Sequence, residues 1–399
     1  MSYVLCLHRW VGRQALYERY GLEPGMQIRA ICTAESAQSL PEDRLASIST
    51  LESLDDATAV MAEAQRLIEL HGVPHRVVAL NEGDLLNAAA IRERWGVPGD
   101  PCAWIERFRD KLTMLEVAAR QAAIAILPAV SAEDPQAVQR LLAEHGYPLV
   151  LKPRCGTASR GVRILRQAQD LRLLQAPHAE PMMVQAFCAA PILHVDGWWD
   201  GERIVVLTAS RYVNSCADFG PDSALGSIEL DADEHERAIA EQVAALLAVF
   251  AGQREIVFHL ELFDDGQTLR FLEIGARVGG AEIPFLWREV RDIDLVGIAW
   301  ELQTEACSRQ RDHARTRSRD GRPLHGERGA WVIGRRESPL RTELGTLYWA
   351  QEALPAGVPS GVYEGARTRL RLRSFDRPAL VRDVERIFEH LAQTWSASA

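Results

Sequence analysis

Short apolar runs and longer amphipathic ones alternate along the N-terminal quarter of the chain. Tyr3–His8, Arg29–Thr33 and Arg76–Leu80 are brief, β-prone stretches of the kind that form buried strands. Ala57–His71 and Asp84–Trp95 repeat their apolar residues at helical spacing. The first stops before Gly72 and Pro74, the second before Gly96 and Pro98, both ordinary helix stops. This alternation predicts a parallel sheet with covering helices over residues 1–108. No G-x-G-x-x-G follows the first strand, so nothing there points to a dinucleotide. A smaller α/β unit is expected next, over 109–184. It has a helix from Asp110, another from Asp134 to His145, and strands near Leu149–Lys152 and Val162–Arg166. The fold class is therefore α/β (α+β), with a further lobe from 185 onward.

The most telling stretch lies in that lobe. In His259–Arg277, HLELFDDGQTLRFLEIGAR, two apolar runs flank the turn signal Asp264-Asp265-Gly266, which reads as a β-hairpin. Glu261 sits in one strand and Glu273 in the other, and Arg277 follows. Each carboxylate alone could be neutralised by a nearby Arg or Lys. Two facing ones repel unless a cation lies between them. Strand side chains alternate faces, so a two-residue turn at Asp265-Gly266 would pair 261 with 270 and send Glu273 to the other face. Sharing a metal requires an odd loop or a bulge, with 261 opposite 273 about a centre at Gln267.

Composition narrows the classes. A chain of 399 residues is long enough for several lobes, and its net charge of −10 argues against a general nucleic-acid binder. No apolar run is long enough to span a membrane, and the N-terminus lacks a basic leader. Seven scattered cysteines, none in C-x-x-C, read as reduced thiols of a cytoplasmic protein. Residues 307–328 carry seven arginines and almost no large apolar residue, so a solvated loop is expected there. Contact with an anionic partner is the other reading. Residues 329–399 return to strands and end in an amphipathic helix near Pro378–Gln393.

Upstream of the hairpin are residues suited to a triphosphate. Asp110-Lys111 opens a helix, although a lysine there is ordinarily solvent-facing. Lys152-Pro153 ends an apolar strand and is followed by Gly156, Ser159, Gly161 and Val162. Glycines in such a turn let backbone N–H groups close on phosphate oxygens, while the lysine supplies charge. On its own the turn is a plain hairpin loop, and it is not a P-loop. The run Met182–Cys188 then offers a strand whose following backbone, around Gln185, Ala186 and Cys188, can face an adenine edge.

Taken in order over about 110–280, these residues resemble the ATP-grasp superfamily. The pattern is an early helix lysine (Lys111), a strand K-P (Lys152-Pro153), a G-x-x-S-x-G-V loop (Gly156–Val162), an adenine hinge (Gln185–Cys188), then E…E-x-x-x-R (Glu261, Glu273, Arg277). The stretch 81–99, NEGDLLNAAAIRERWGVPG, and His194-Val195-Asp196-Gly197 resemble segments of the amino-acid-ligase branch. Two positions depart from the pattern. Gln185 stands where many members have an acidic residue, and Gly275 where many have an asparagine metal ligand.

The resemblance implies an ATP-grasp fold: an N-terminal α/β domain, a small central lobe bearing a lid, and a larger C-terminal lobe. It implies ATP and magnesium (or manganese) as cofactors. ATP would be held by Lys111, Lys152, Gly156, Ser159, Gly161, Val162, Gln185, Ala186, Cys188 and His194, and the metal by Glu261 and Glu273. Lys152 and Arg277 would be catalytic. Arg211 and Tyr212, with the loop at Gly279 and Gly280, are candidate substrate contacts, although an arginine at a strand end is more often solvated. The implied activity is ADP-forming ligation of a carboxylate to an amine through an acylphosphate, with an amino acid as the expected substrate. Carboxylate–thiol ligation, carboxylation or phosphorylation on the same fold are the alternatives. The expected partners are small-molecule acids and amines, with neither nucleic acid nor membrane, and a homodimer is left open.

Overall fold

Strand β1 (Tyr3–His8) is buried along its whole length and pairs in parallel with β2 (Gln27–Thr33) and β4 (Arg76–Ala79). The computed structural model that shows this describes residues 2–121, 124–231, 234–318, 326–338, 340, 343–350, 363 and 365–396. A further strand, β3 (Leu45–Leu51), lies outside β2 and gives the parallel order β3-β2-β1-β4. It was not expected from the sequence. LASISTL is only partly buried and carries Ser47, Ser49 and Thr50, so its apolar signal is weak. The helices Ala57–His71 and Leu85–Trp95 form where the spacing predicts them. Asp56 accepts the N–H groups of Thr58 and Ala59 at the start of the first, and Gly96 ends the second in a left-handed conformation (φ 65°).

The helix Lys111–Gln121 begins because the Asp110 carboxylate accepts N–H from Leu112 (2.9 Å) and Thr113 (3.3 Å). The same carboxylate is gripped by Arg154 (Nε to Oδ1, 3.1 Å), which ties this helix start to the end of the K-P strand. After it come β5 (Ala125–Ile126), β6 (Ala129–Ser131), β7 (Leu149–Pro153), β8 (Arg163–Leu165) and β9 (Met182–Ala186). All but β5 form an antiparallel sheet in the order β6-β9-β7-β8. Val138 and Leu141 of the helix Pro135–His145 cover it, packed on Leu149, Leu151, Leu165, Met182 and Val184.

The large sheet holds β10 (Ile192–Trp199), β11 (Ile204–Tyr212), β12 (Leu225–Glu229), β13 (Ile256–Asp264), β14 (Leu269–Gly275), β15 (Arg328–Gly334), β16 (Leu347–Ala350) and β17 (Thr368–Ser374). Its order is β16-β17-β15-β12-β11-β10-β13-β14-β5. One apolar cluster runs from Phe250, Phe258 and Phe271 into the N-terminal sheet at Tyr3 and Leu5. Trp198, Trp300 and Trp331 anchor a second, and Trp300 Nε1 donates to the Gly21 carbonyl at 2.9 Å. Each such buried side chain contributes about 1.5–3 kcal/mol, so the N-terminal sheet and the large sheet are held by shared cores.

The arginine-rich segment differs from its expectation as a loop. Arg309–Arg317 is a helix, and residues 319–325 lie outside the described residues. Glu301 accepts the N–H groups of Gln310 (2.7 Å) and Arg311 (3.2 Å), Ala314 is fully buried, and Arg315 lies over Trp198. Tertiary contacts hold this helix in the absence of an apolar stripe of its own.

Candidate active site

A cleft of about 420 Å³ opens between the small sheet and the large one. Lys111, Lys152, Gly156, Ser159, Val162, Gln185, Ala186, Cys188, Tyr212, Glu261 and Glu273, all singled out in the sequence, line it. On the large sheet Asp264 pairs with Leu269, so the hairpin turn spans residues 265–268, an even number. The register then shifts by one residue, and Glu261 comes to lie opposite Glu273. The bulge resolves the geometric demand, and both Leu272 and Glu273 reach the cleft, where a regular strand would part them.

Charges within the cleft are arranged in pairs. Glu273 Oε2 lies 3.1 Å from Lys111 Nζ, which also donates to the Gly156 carbonyl at 2.8 Å. Glu261 Oε1 accepts from the Tyr212 hydroxyl at 3.1 Å and lies 3.4 Å from His259 Nε2. Burial would push the Glu261 carboxyl up, and the hydrogen bond and charge of His259 more than offset it. Each carboxylate thus spends one oxygen on the protein. Oε2 of Glu261 and Oε1 of Glu273 have no protein donor among the described residues, which suits a hard divalent cation bound through carboxylate oxygens and water. Lys152 is 6% exposed, and its ammonium has no acceptor among the described residues. Burial first, then the charge of Lys111, lowers it to about 8 despite Glu273 and Glu261.

The loop after Pro153 holds three residues in left-handed backbone, Ala158 (φ 52°), Ser159 (φ 55°) and Gly161 (φ 73°). A Cβ at Gly156 would meet Pro153 Cβ at 2.9 Å, and one at Gly161 would meet Pro153 Cγ at 3.0 Å. The K-P proline is thus the floor on which the loop folds.

Several expected contacts fall elsewhere. His194 does not line the cleft. It is buried behind Tyr212, donating from Nδ1 to Asp196 (2.6 Å) with Nε2 on Ser227 Oγ (2.7 Å). Arg211 and Tyr212 are neighbours in one strand and so face opposite ways. Arg211 pairs with Asp264 at 2.8 Å, away from the cleft. Gly279 packs on the network behind the cleft, since a Cβ there would lie 2.6 Å from Asp196 Oδ1 and 2.9 Å from His259 Nδ1. Gly280 abuts Tyr363, and Gly161 stays in the loop at the cleft's edge. By distance His194, Asp196 and His259 could hold an ion. Both Asp196 oxygens already accept from the two rings, at 2.6 and 2.8 Å, so the cluster is satisfied as a hydrogen-bonded chain leading to Glu261. The Asp196 charge, working against burial, raises His259 to about 9.

Arg277 also lies outside the cleft lining, paired with Glu82, which follows β4 of the N-terminal sheet. Glu82 and its second partner Arg109 were not expected as site residues. The resemblance of the NEGD stretch marks the segment and gives the glutamate itself no role. At Gly275 a Cβ would meet Glu82 Oε2 at 3.3 Å and Arg277 Nε at 3.4 Å, so this ion pair occupies the space a longer side chain would take.

No family model matches the chain. An uncharacterized protein of Sinorhizobium fredii, y4rH, is 25% identical over 251 residues, covering 60% of this chain and 51% of that protein. The chain thus spans about half the length of that curated relative. Among solved structures, L-amino acid ligase from Bacillus licheniformis superposes over 98% of this chain and 97% of its own, with TM-score 0.67 and 15% identity. N5-carboxyaminoimidazole synthetase from Staphylococcus aureus, complexed with ADP, covers 97% of each chain with TM-score 0.66 and 12% identity. The biotin carboxylase domain of 2-oxoglutarate carboxylase from Hydrogenobacter thermophilus, a dimer with MgADP and bicarbonate, covers 94% of this chain and 86% of its own, with TM-score 0.61 and 14% identity. With these likenesses running the length of the chain, its fold is the ATP-grasp fold.

Proposed function

We propose that the chain is an ATP-dependent carboxylate–amine ligase that releases ADP and phosphate, with an amino acid as one substrate. The observation that carries this is Lys152. A lysine with only 6% exposure, whose ammonium has no protein acceptor among the described residues, lies beside Lys111 and faces two carboxylates, an arrangement completed by a triphosphate and its cation. The names of the structural neighbours, an amino acid ligase and an ADP-bound synthetase among them, support the same class. A cytoplasmic location belongs to this reading and rests on the scattered thiols.

In this mechanism a carboxylate oxygen of the acid attacks the γ-phosphorus and the bond to the ADP oxygen breaks. The amine nitrogen then attacks the acyl carbon, phosphate departs, and the nitrogen loses its proton. Lys111 and Lys152 offset the charge of the transferring phosphoryl group. Glu261 and Glu273 would hold magnesium, which supplies charge neutralisation on the phosphates. Tyr212 and His259 fix the Glu261 carboxylate, and the Gly156–Gly161 loop keeps water from the acylphosphate. Arg277, outside the cleft lining and held by Glu82, would offer its remaining N–H donors to the acid and the phosphoryl oxygens.

The test is phosphate release over a panel of amino-acid pairs with ATP and magnesium. Release requiring both an acid and an amine, with hydroxylamine trapping a hydroxamate from the acid alone, is expected. ADP formation with one substrate and no trapped or amide-linked acyl product would replace ligation by phosphorylation or carboxylation.

A further inference from the structure

Glu82 stands where three parts of the chain converge, and the reading above gives it no task. It follows β4 in a short turn set by Asn81, whose side chain accepts the Gly83 N–H at 3.0 Å. Its carboxylate is buried, with one oxygen on each of two arginines. Oε1 accepts from Arg109 Nη1 at 2.7 Å, and Oε2 accepts from Arg277 Nε at 2.5 Å, with Nη2 of Arg277 against the same oxygen. Arg109 also donates to the Cys155 carbonyl, at the base of the loop that carries Gly156 and Ser159. Arg277 Nη1 donates to the Val278 carbonyl at 2.9 Å.

We propose that Glu82 is a positioning residue: it aims Arg277 and, through Arg109, ties the N-terminal α/β domain to the base of the phosphate loop. Two guanidiniums this close repel, and a single shared carboxylate holds both in place. Glu82 takes the side of the Arg277 fork nearest the chain, and a guanidinium carries more N–H donors than these contacts use, so donors remain for a bound anion. Gly275, by lacking a side chain, leaves the room in which Glu82 meets Arg277. The carboxylate lies 195 residues from one partner and 27 from the other along the chain, so it couples separate elements rather than capping its own turn.

The role of Arg277 in acyl transfer rests on the ligase reading; the tie to the loop does not. Two measurements separate them. In the nucleotide-free protein, amide hydrogen exchange over 155–162 should quicken in Glu82→Gln, and return to the wild-type rate in Glu82→Asp, which keeps the charge. Unchanged exchange in Glu82→Gln overturns the tie, whatever the protein catalyses. In the ligase assay Glu82→Gln should lower kcat by about 10–100-fold, with the KM for ATP little altered. Adding Glu82→Gln to Arg277→Ala should then change turnover by no more than about twofold. Losses that multiply, or a loss confined to KM and thermal stability, overturn the positioning role. A wild type that turns over no acid overturns the ligase reading and leaves the exchange result to decide the tie.

Discussion

Glu261 and Glu273 stand opposite each other because Leu272 is an extra residue in β14. Their spare oxygens can then converge on one cation. Glu273→Gln should abolish ADP formation, by about 10²-fold or more, while the melting temperature moves little, since this partly buried residue has Lys111 as its chief partner. Steady-state ADP release with a magnesium titration checks it. Near wild-type turnover at ordinary magnesium would remove Glu273 from the site.

Lys152 gives a pH dependence with a definite sign. Its free-state value is lowered to about 8, chiefly by burial. A bound triphosphate favours the ammonium, so binding takes up a proton when Lys152 is partly neutral. Nucleotide affinity should be full below pH 8 and fall as pH rises through it, by up to about tenfold per unit. Calorimetry in buffers of different ionisation enthalpy should show proton uptake between pH 8 and 9 in the wild type and none in Lys152→Arg. Equal heats across buffers would contradict the assignment.

Gly161 sits at φ 73° with Pro153 Cγ 3.0 Å from where a Cβ would be. A β-branched residue there meets both backbone strain and the proline floor. Gly161→Val should weaken ATP binding by roughly tenfold, for a strain of about 1–3 kcal/mol, with the rest of the fold intact. Fluorescent-nucleotide titration reads the first and circular dichroism the second; unaltered affinity would mean the loop does not close on phosphate.

Gly197, the glycine of His194-Val195-Asp196-Gly197, is a structural requirement. A Cβ there would lie 2.1 Å from the Val206 carbonyl oxygen in the neighbouring strand, and backbone cannot give way as a side chain can. Gly197→Ala should destabilise the protein by about 3 kcal/mol, seen as a lowered Tm. A Tm within a degree of wild type would show that β10 and β11 can part without loss.

Much of this was legible beforehand where local chemistry is sufficient. The helix Ala57–His71 matched to the residue because Asp56 caps it and Gly72 stops it. The residues that line the cleft are conspicuous in sequence because a lysine ending a strand, a glycine-rich turn and paired carboxylates each leave a local mark. What stayed hidden depends on faces and distance. Arg211 and Tyr212 are equally conspicuous in sequence, but only the sheet decides which one meets the cleft. His194 belongs to a motif yet acts behind the cleft, through Asp196 and His259. The helix Arg309–Arg317 is polar on all sides and is held by Glu301 and Trp198, which no local pattern reveals.

The buried carboxylate that follows β4 also limits how the molecule can be cut. A fragment starting at the helix Lys111–Gln121 would hold both lysines and the paired glutamates, and would look like a self-sufficient catalytic unit. It would lack Glu82, the only carboxylate among the described residues on Arg277, together with the Arg109 link to the Cys155 carbonyl. If Glu82 positions Arg277, trimming the chain, or grafting this cleft onto another scaffold, has to carry the turn at 81–84 along with it.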